Sequence, residues 1–274
     1  MERIASGYQL VEGPVATPGG GVVFSDVLGG GVYEWTPATG EVTTVLPKRR
    51  GIGGMARHAD GGLVMSGRDV IHLAPDGTSR TVHQPEEGVA GVNDLTVDPD
   101  GRIVVGQLRF RPFAGEPPVP GEFVTVGGGL APTPVVDDVL WVDGCQFSPD
   151  GSVFYGCDVQ RGVVLAADRR ADGSYGGRRV VIESPTGVAD GMSVDETGAL
   201  WVALGPSGSI GRFTPDGTLD REVSMDARFV ASLCFGGSDG RDLFATSIGE
   251  EGETGAVFHG RVEVAGAPIT LATV

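Results

Sequence analysis

Glu12, Gly53, Asn93, Asp143, Asp190 and Ser232 each stand eight residues before one of six recurring turn glycines, Gly20, Gly61, Gly101, Gly151, Gly198 and Gly240. Four of these six positions carry a carboxylate or a carboxamide. If the repeats are arranged in a ring, one repeat position converges on the axis. Three carboxylates driven together there repel one another and take up protons, unless a cation sits among them. An all-oxygen set of Glu12, Asn93, Asp143 and Asp190, with no His or Cys, suits one hard divalent cation. Calcium is expected first, with magnesium, manganese or zinc as alternatives. The competing reading is that each acid caps its own turn, the role expected of Asp76, Asp100, Asp150 and Asp216 in their Pro-Asp-Gly sequences.

The elements that must position these residues are legible as a repeat. A short apolar segment, a glycine turn and an apolar strand recur in Val97-Asp98-Pro99-Asp100-Gly101-Arg102-Ile103-Val104-Val105 and in Phe147-Ser148-Pro149-Asp150-Gly151-Ser152-Val153-Phe154-Tyr155. They recur again in Val194-Asp195-Glu196-Thr197-Gly198-Ala199-Leu200-Trp201-Val202. Asp-Gly and Thr-Gly turns tolerate the positive φ of tight hairpins, so each copy reads as a hairpin. Second hairpins lie between copies, as in Ile210-Gly211-Arg212-Phe213-Thr214-Pro215-Asp216-Gly217-Thr218. Two hairpins make a four-stranded sheet. Six such sheets cannot each bury both faces alone and should pack radially. The predicted fold is all-β: a six-bladed β-propeller with four antiparallel strands per blade, one domain over residues 1–274, against the alternative of an all-β sandwich. Pro112, Pro117, Pro118 and Pro120 cannot continue a central strand, so a loop between the second and third strands of blade three, set within 107–137, is a candidate lid.

Composition narrows the partners. The 274 residues include 47 glycines, with 20 basic against 36 acidic side chains and a net charge of −16. Lys48 is the only lysine, and no basic stripe suits a phosphate backbone, so nucleic acid and anionic membrane are disfavoured and a small-molecule partner is expected. Cys145, Cys157 and Cys234 lack metal-finger spacing and suit buried thiols in a reducing compartment. The start, Met1-Glu2-Arg3-Ile4-Ala5-Ser6-Gly7, shows no export signal, which makes a cytoplasmic address the default expectation. Oligomeric state is not legible.

Several of these segments together resemble the regucalcin, gluconolactonase and diisopropylfluorophosphatase-like six-bladed propellers, over nearly the full length. The carriers are Glu12-Gly13-Pro14 with Phe24-Ser25-Asp26, Gly91-Val92-Asn93-Asp94, Asp143-Gly144, and Asp190-Gly191-Met192 followed by Gly198-Ala199-Leu200-Trp201-Val202-Ala203. The resemblance implies a divalent metal held by Glu12, the residue at 143 and Asp190, with Asn93 at the metal or the substrate. It also implies hydrolysis of a lactone ring, Asp190 being the general base with Asp143 beside it. Position 143 usually holds Asn in this family, and Asp143 adds a negative charge. A sugar-lactonase branch has Arg where this chain has Gly91, and acidic residues where it has Arg109 and Arg111, which argues against a sugar acid lactone.

The second strands should return to the same mouth, which places Asp26, Gln107 and Asp158 at the pocket rim, near the substrate. Arg109 and Arg111 are expected to orient an anionic substrate group through paired hydrogen bonds. No histidine stands where a Ser-His-Asp triad is recognisable. Two further readings are a metal-stapled binding propeller without catalysis, and a metal-dependent enzyme acting on another ester, a phosphotriester or an enolisable substrate.

Overall fold

Alternating β-branched residues punctuated by glycine turns give 24 strands in six four-stranded antiparallel sheets, as the computed structural model shows. Residues 1–129, 131–249, 252 and 254–274 are described. The only helix among them is a 3-10 turn, Pro112–Ala114. None is long and apolar enough to cross a membrane.

The innermost strands of blades one to six are Val11–Ala16, Met55–Arg57, Gly91–Val97, Val142–Phe147, Met192–Val194 and Val230–Gly236. Each touches the next, and the sixth touches the first, so they close a ring about an axis. Blades one to five are continuous in sequence. Blade six is completed by the N-terminal strand Glu2–Tyr8, which pairs antiparallel with Gly255–Arg261 as its outermost member. That closure joins the two ends of the fold in one sheet.

A blade buries its faces only against its neighbours, and the core is distributed accordingly. Six apolar clusters fill the six seams between blades. Phe123 of blade three packs edge-on against Phe154 of blade four at 5.2 Å, and both are fully buried. At roughly 25 cal/mol per Å² of apolar surface removed from water, these seams are the main force holding the ring together.

The hairpin turns are fixed by short side chains, as expected for Asp76, Asp150 and Asp216, whose carboxylates accept the N–H two residues on. Asp100 differs. The buried Asp98 closes that turn instead, accepting the Asp100 and Arg102 N–H groups at 2.9 Å, while Asp100 faces Arg102 and Arg169. The three cysteines are free thiols.

Candidate active site

Each inner strand enters the ring near the repeat position singled out above, and in blades one, three, four and six it does so through a register shift: Glu12/Val15, Val92/Leu95, Val142/Cys145 and Val230/Ser232. A bulge bends the strand and re-aims its side chains. The residue after the site position then lies almost against the next blade. A Cβ on Gly144 would stand 2.5 Å from the Met192 nitrogen, and one on Gly191 would stand 2.2 Å from the Ser232 hydroxyl, so only glycine allows the strands to approach this closely.

Glu12, Asn93, Asp143 and Asp190 all line one cavity of about 510 Å³ at one mouth of the ring. The three acids are buried. Asn93 donates from Nδ2 to Asp143 Oδ2 at 2.7 Å and to the Val142 carbonyl at 2.9 Å, tying blade three to blade four. The Gly13 and Gly144 N–H groups point to Glu12 Oε2 and Asp143 Oδ1 at 3.4 and 2.9 Å. Burial and the charge of Asp143 push Glu12 and Asp190 well above the usual carboxylate range. Asp143 is raised to about 6 by burial, tempered by hydrogen bonds from Asp190, Asn93 and the Gly144 N–H. Asp143 and Asp190 lie against each other, so that the charge on one opposes ionisation of the other.

One participant escaped the repeat argument. Asp94 occupies the place that is glycine in blades one, two, four and five, at Gly13, Gly54, Gly144 and Gly191. It lines a narrower hollow of about 110 Å³ that also touches Gly13, Cys145 and Ser232. Its carboxyl is pushed well up by burial and by Asp143, and its own charge raises Glu12 and Asp190. An acid at a position that is glycine in four of the six blades was the available signal.

The predicted rim residues stand one position back from the cavity lining, behind Val27, Leu108 and Val159. Asp26, Gln107 and Asp158 do not line the cavity. They occupy one register position, opposite Val11, Val92 and Val142, and are buried. Asp26 accepts the Gln9, Leu10 and Gly29 N–H groups, and Asp158 those of Leu140, Trp141 and Arg161, so both fold the loops that lead into an inner strand. Gln107 bonds His83 at 3.2 Å. Arg109 is also outside the cavity lining, held by Glu122 at 2.6 Å and Glu86 at 3.0 Å. Arg111 does line the cavity, yet its guanidinium is paired with Glu116. The sequence pattern could not show these acidic partners.

The Pro-rich connection runs over residues 109–120, since Gly121–Val126 and Thr133–Val139 are strands of blade three; Leu130, in the same stretch, lies outside the described residues. Phe110, Arg111, Pro112 and Phe113 from this connection form part of the cavity wall. Trp141 meets the rings of Phe110 and Phe113 edge-on at 6.2 and 5.9 Å.

His58, Asp60 and His72 form the one His/Asp group among the described residues whose ligand atoms all lie within 4.8 Å of one another. It sits at the turn that ends the inner strand of blade two. The corresponding positions of blade five, Asp195 and Arg212, form an ion pair at 2.9 Å, so this is the place where a blade braces its inner turn.

The arrangement has relatives. Residues 10–249 match the family described as the SMP-30/Gluconolactonase/LRE-like region. The chain is 29% identical to the 6-deoxy-6-sulfogluconolactonase of Pseudomonas putida, over 89% of this chain and 87% of that protein. It is 28% identical to pentonolactonase XacC of Haloferax volcanii, over 90% and 84%. Among solved structures, a calcium-binding regucalcin from Agrobacterium tumefaciens superposes with a TM-score of 0.86 at 22% identity, covering 99% of this chain and 97% of that one. With the match spanning most of the chain and all four axial oxygen donors, the protein belongs to the SMP-30/gluconolactonase/LRE-like family.

Proposed function

We propose that the chain is a cation-dependent hydrolase that opens a lactone ring. One observation carries the reading: three buried acids and a carboxamide, drawn from blades one, three, four and five, meet at one end of a cavity of small-molecule size. Two family relatives carry lactonase in their names, which supports the same class of reaction.

The residues fit a hard divalent cation, calcium foremost. All donors are oxygens, and burial and mutual repulsion oppose the charge of the acids, a penalty a cation would relieve. Glu12, Asn93, Asp143 and Asp190 would hold such an ion, which would supply Lewis acidity at the ester carbonyl. Asn93 is held in place by its bonds to Asp143 and the Val142 carbonyl. Asp190 acts as general base from its buried place on the cavity floor, beside Asp143. It takes a proton from the attacking water as the C–O bond forms. It returns that proton to the alkoxide as the ring C–O bond breaks, leaving a hydroxy acid. Asp143, bonded to Asp190, fixes the base in orientation.

The test is lactone hydrolysis by chelated protein before and after addition of calcium, magnesium, manganese or zinc. Loss and recovery of turnover support the reading. Full activity in chelator removes the cation from it, and no turnover of any lactone under any condition removes the reaction.

A further inference from the structure

The floor of the cavity is polar, but its wall is not. Above Glu12, Asn93, Asp143 and Asp190, the described lining side chains are aliphatic or aromatic, apart from Arg50, Arg68 and Arg111. These three arginines are exposed, so their charge belongs to the mouth. No Ser, Thr, Tyr, Gln, His or Lys lines the space among the described residues. Apart from these arginines, Trp141 is the one side chain above the floor, among the described lining residues, that carries a hydrogen-bond donor. Phe110 is buried in that wall, whereas Phe113 is 65% exposed and closes it from the Pro-rich connection.

A polyhydroxylated ring entering this space would find side-chain partners only at the floor, at Trp141 and at the arginine mouth, and hydroxyls facing the rest of the wall would exchange water for hydrocarbon. An alkyl or aryl substituent would instead gain from burial and from edge contact with the aromatic rings. We infer that the substrate is a lactone whose ring carries an apolar alkyl or aryl substituent, seated against Phe110, Phe113 and Trp141 while the ester faces the acidic floor. This rests on the lactone-hydrolase reading and specifies its substrate class. Size agrees, since a cavity of about 510 Å³ falls within the range that encloses drug-sized ligands.

The experiment compares kcat/KM of the full chain, with cation present, for γ-lactones of increasing alkyl chain and for glucono-1,5-lactone. Binding of a hydrolysis-resistant 2-alkylcyclopentanone series is measured by calorimetry in parallel. The expected result is a rise in kcat/KM of about fourfold for each methylene buried, until the wall is covered, with the sugar lactone poorest. Phe113→Ser, at an exposed position, should flatten that rise mainly through KM. A chain-independent kcat/KM, or a sugar lactone turned over as well as the longest alkyl lactone, overturns the inference and leaves the hydrolase intact. If no lactone reacts, the hydrolase reading falls and the ketones decide alone. Tighter binding with chain length then upholds the apolar occupant, and binding that is absent or independent of chain length overturns it.

Discussion

Asp143 accepts a 2.7 Å hydrogen bond from Asn93 across the seam between blades three and four, and it also lies against Asp190 of blade five. One carboxylate thus links three blades. It is also the residue whose charge most raises Asp190 and, among charged neighbours, Glu12.

Asp143→Asn should therefore act in opposite directions on two measurements. With chelator present the melting temperature rises, because Glu12 and Asp190 lose their strongest charged opponent. With cation present the divalent Kd weakens, by about tenfold or more for the loss of one formal ligand charge. Calorimetry and thermal melts on the same preparation check both, and an unchanged Kd would remove Asp143 from the ligand set.

The acids also set a pH dependence. Their folded values lie above the ordinary 3.8 of Asp and 4.5 of Glu, with Asp143 at about 6 and Glu12 and Asp190 well raised. The folded chain consequently binds more protons than the unfolded chain from about pH 4 to beyond pH 6, and stability falls as pH rises through that window. In chelator, melting temperature should drop from pH 5 to pH 8 as these groups ionise. Excess cation displaces the protons and should flatten the slope. A flat profile in chelator contradicts the assignment of raised values to these three acids.

Gly53 sits where a methyl group would stand 2.1 Å from Asn93 Oδ1 and 3.2 Å from the Asn93 carbonyl carbon. Gly53→Ala must push Asn93 off its bonds to Asp143 and Val142. The expected loss is about 1–3 kcal/mol of stability, as for overpacking elsewhere, together with weaker cation binding. Denaturant unfolding and metal titration measure the two effects, and a neutral Ala would mean that Asn93 is not confined by this contact.

Asp94 raises Glu12 and Asp190 through its charge. Asp94→Asn should shift the acid limb of cation binding to lower pH, because Glu12 and Asp190 then ionise more easily. Binding measured from pH 5 to pH 8 shows the shift. No movement of the limb would separate Asp94 from the site electrostatically.

The repeat made the blades legible because a tight turn needs glycine and recurs at a fixed distance from the inner strand. The closure of blade six was not legible: Glu2–Tyr8 has no repeat of its own and shows its place only when paired with Gly255–Arg261. Glu12, Asn93, Asp143 and Asp190 emerged because convergence on an axis is a property of repeat position alone. Asp26 and Asp158 share a repeat position too, but their short side chains find loop N–H groups before they reach the cavity. The partners of Arg109, Glu86 and Glu122, are not legible in the sequence because they approach it only through folding. Part of the apolar wall is periodic, since Val27, Leu108, Val159 and Ile248 each follow the residue paired with an inner-strand valine, Val11, Val92, Val142 or Val230, whereas Phe110, Pro112 and Phe113 come from the Pro-rich connection, which has no counterpart among the described residues of the other blades.

The most direct measurement is anomalous diffraction from crystals soaked in a divalent cation such as manganese or calcium. The account predicts one ion on the propeller axis, with oxygens of Glu12, Asn93, Asp143 and Asp190 within about 2.0–2.6 Å of it. An ion bound elsewhere on the chain, with these four side chains left hydrogen-bonded only to one another at saturating cation, would contradict it.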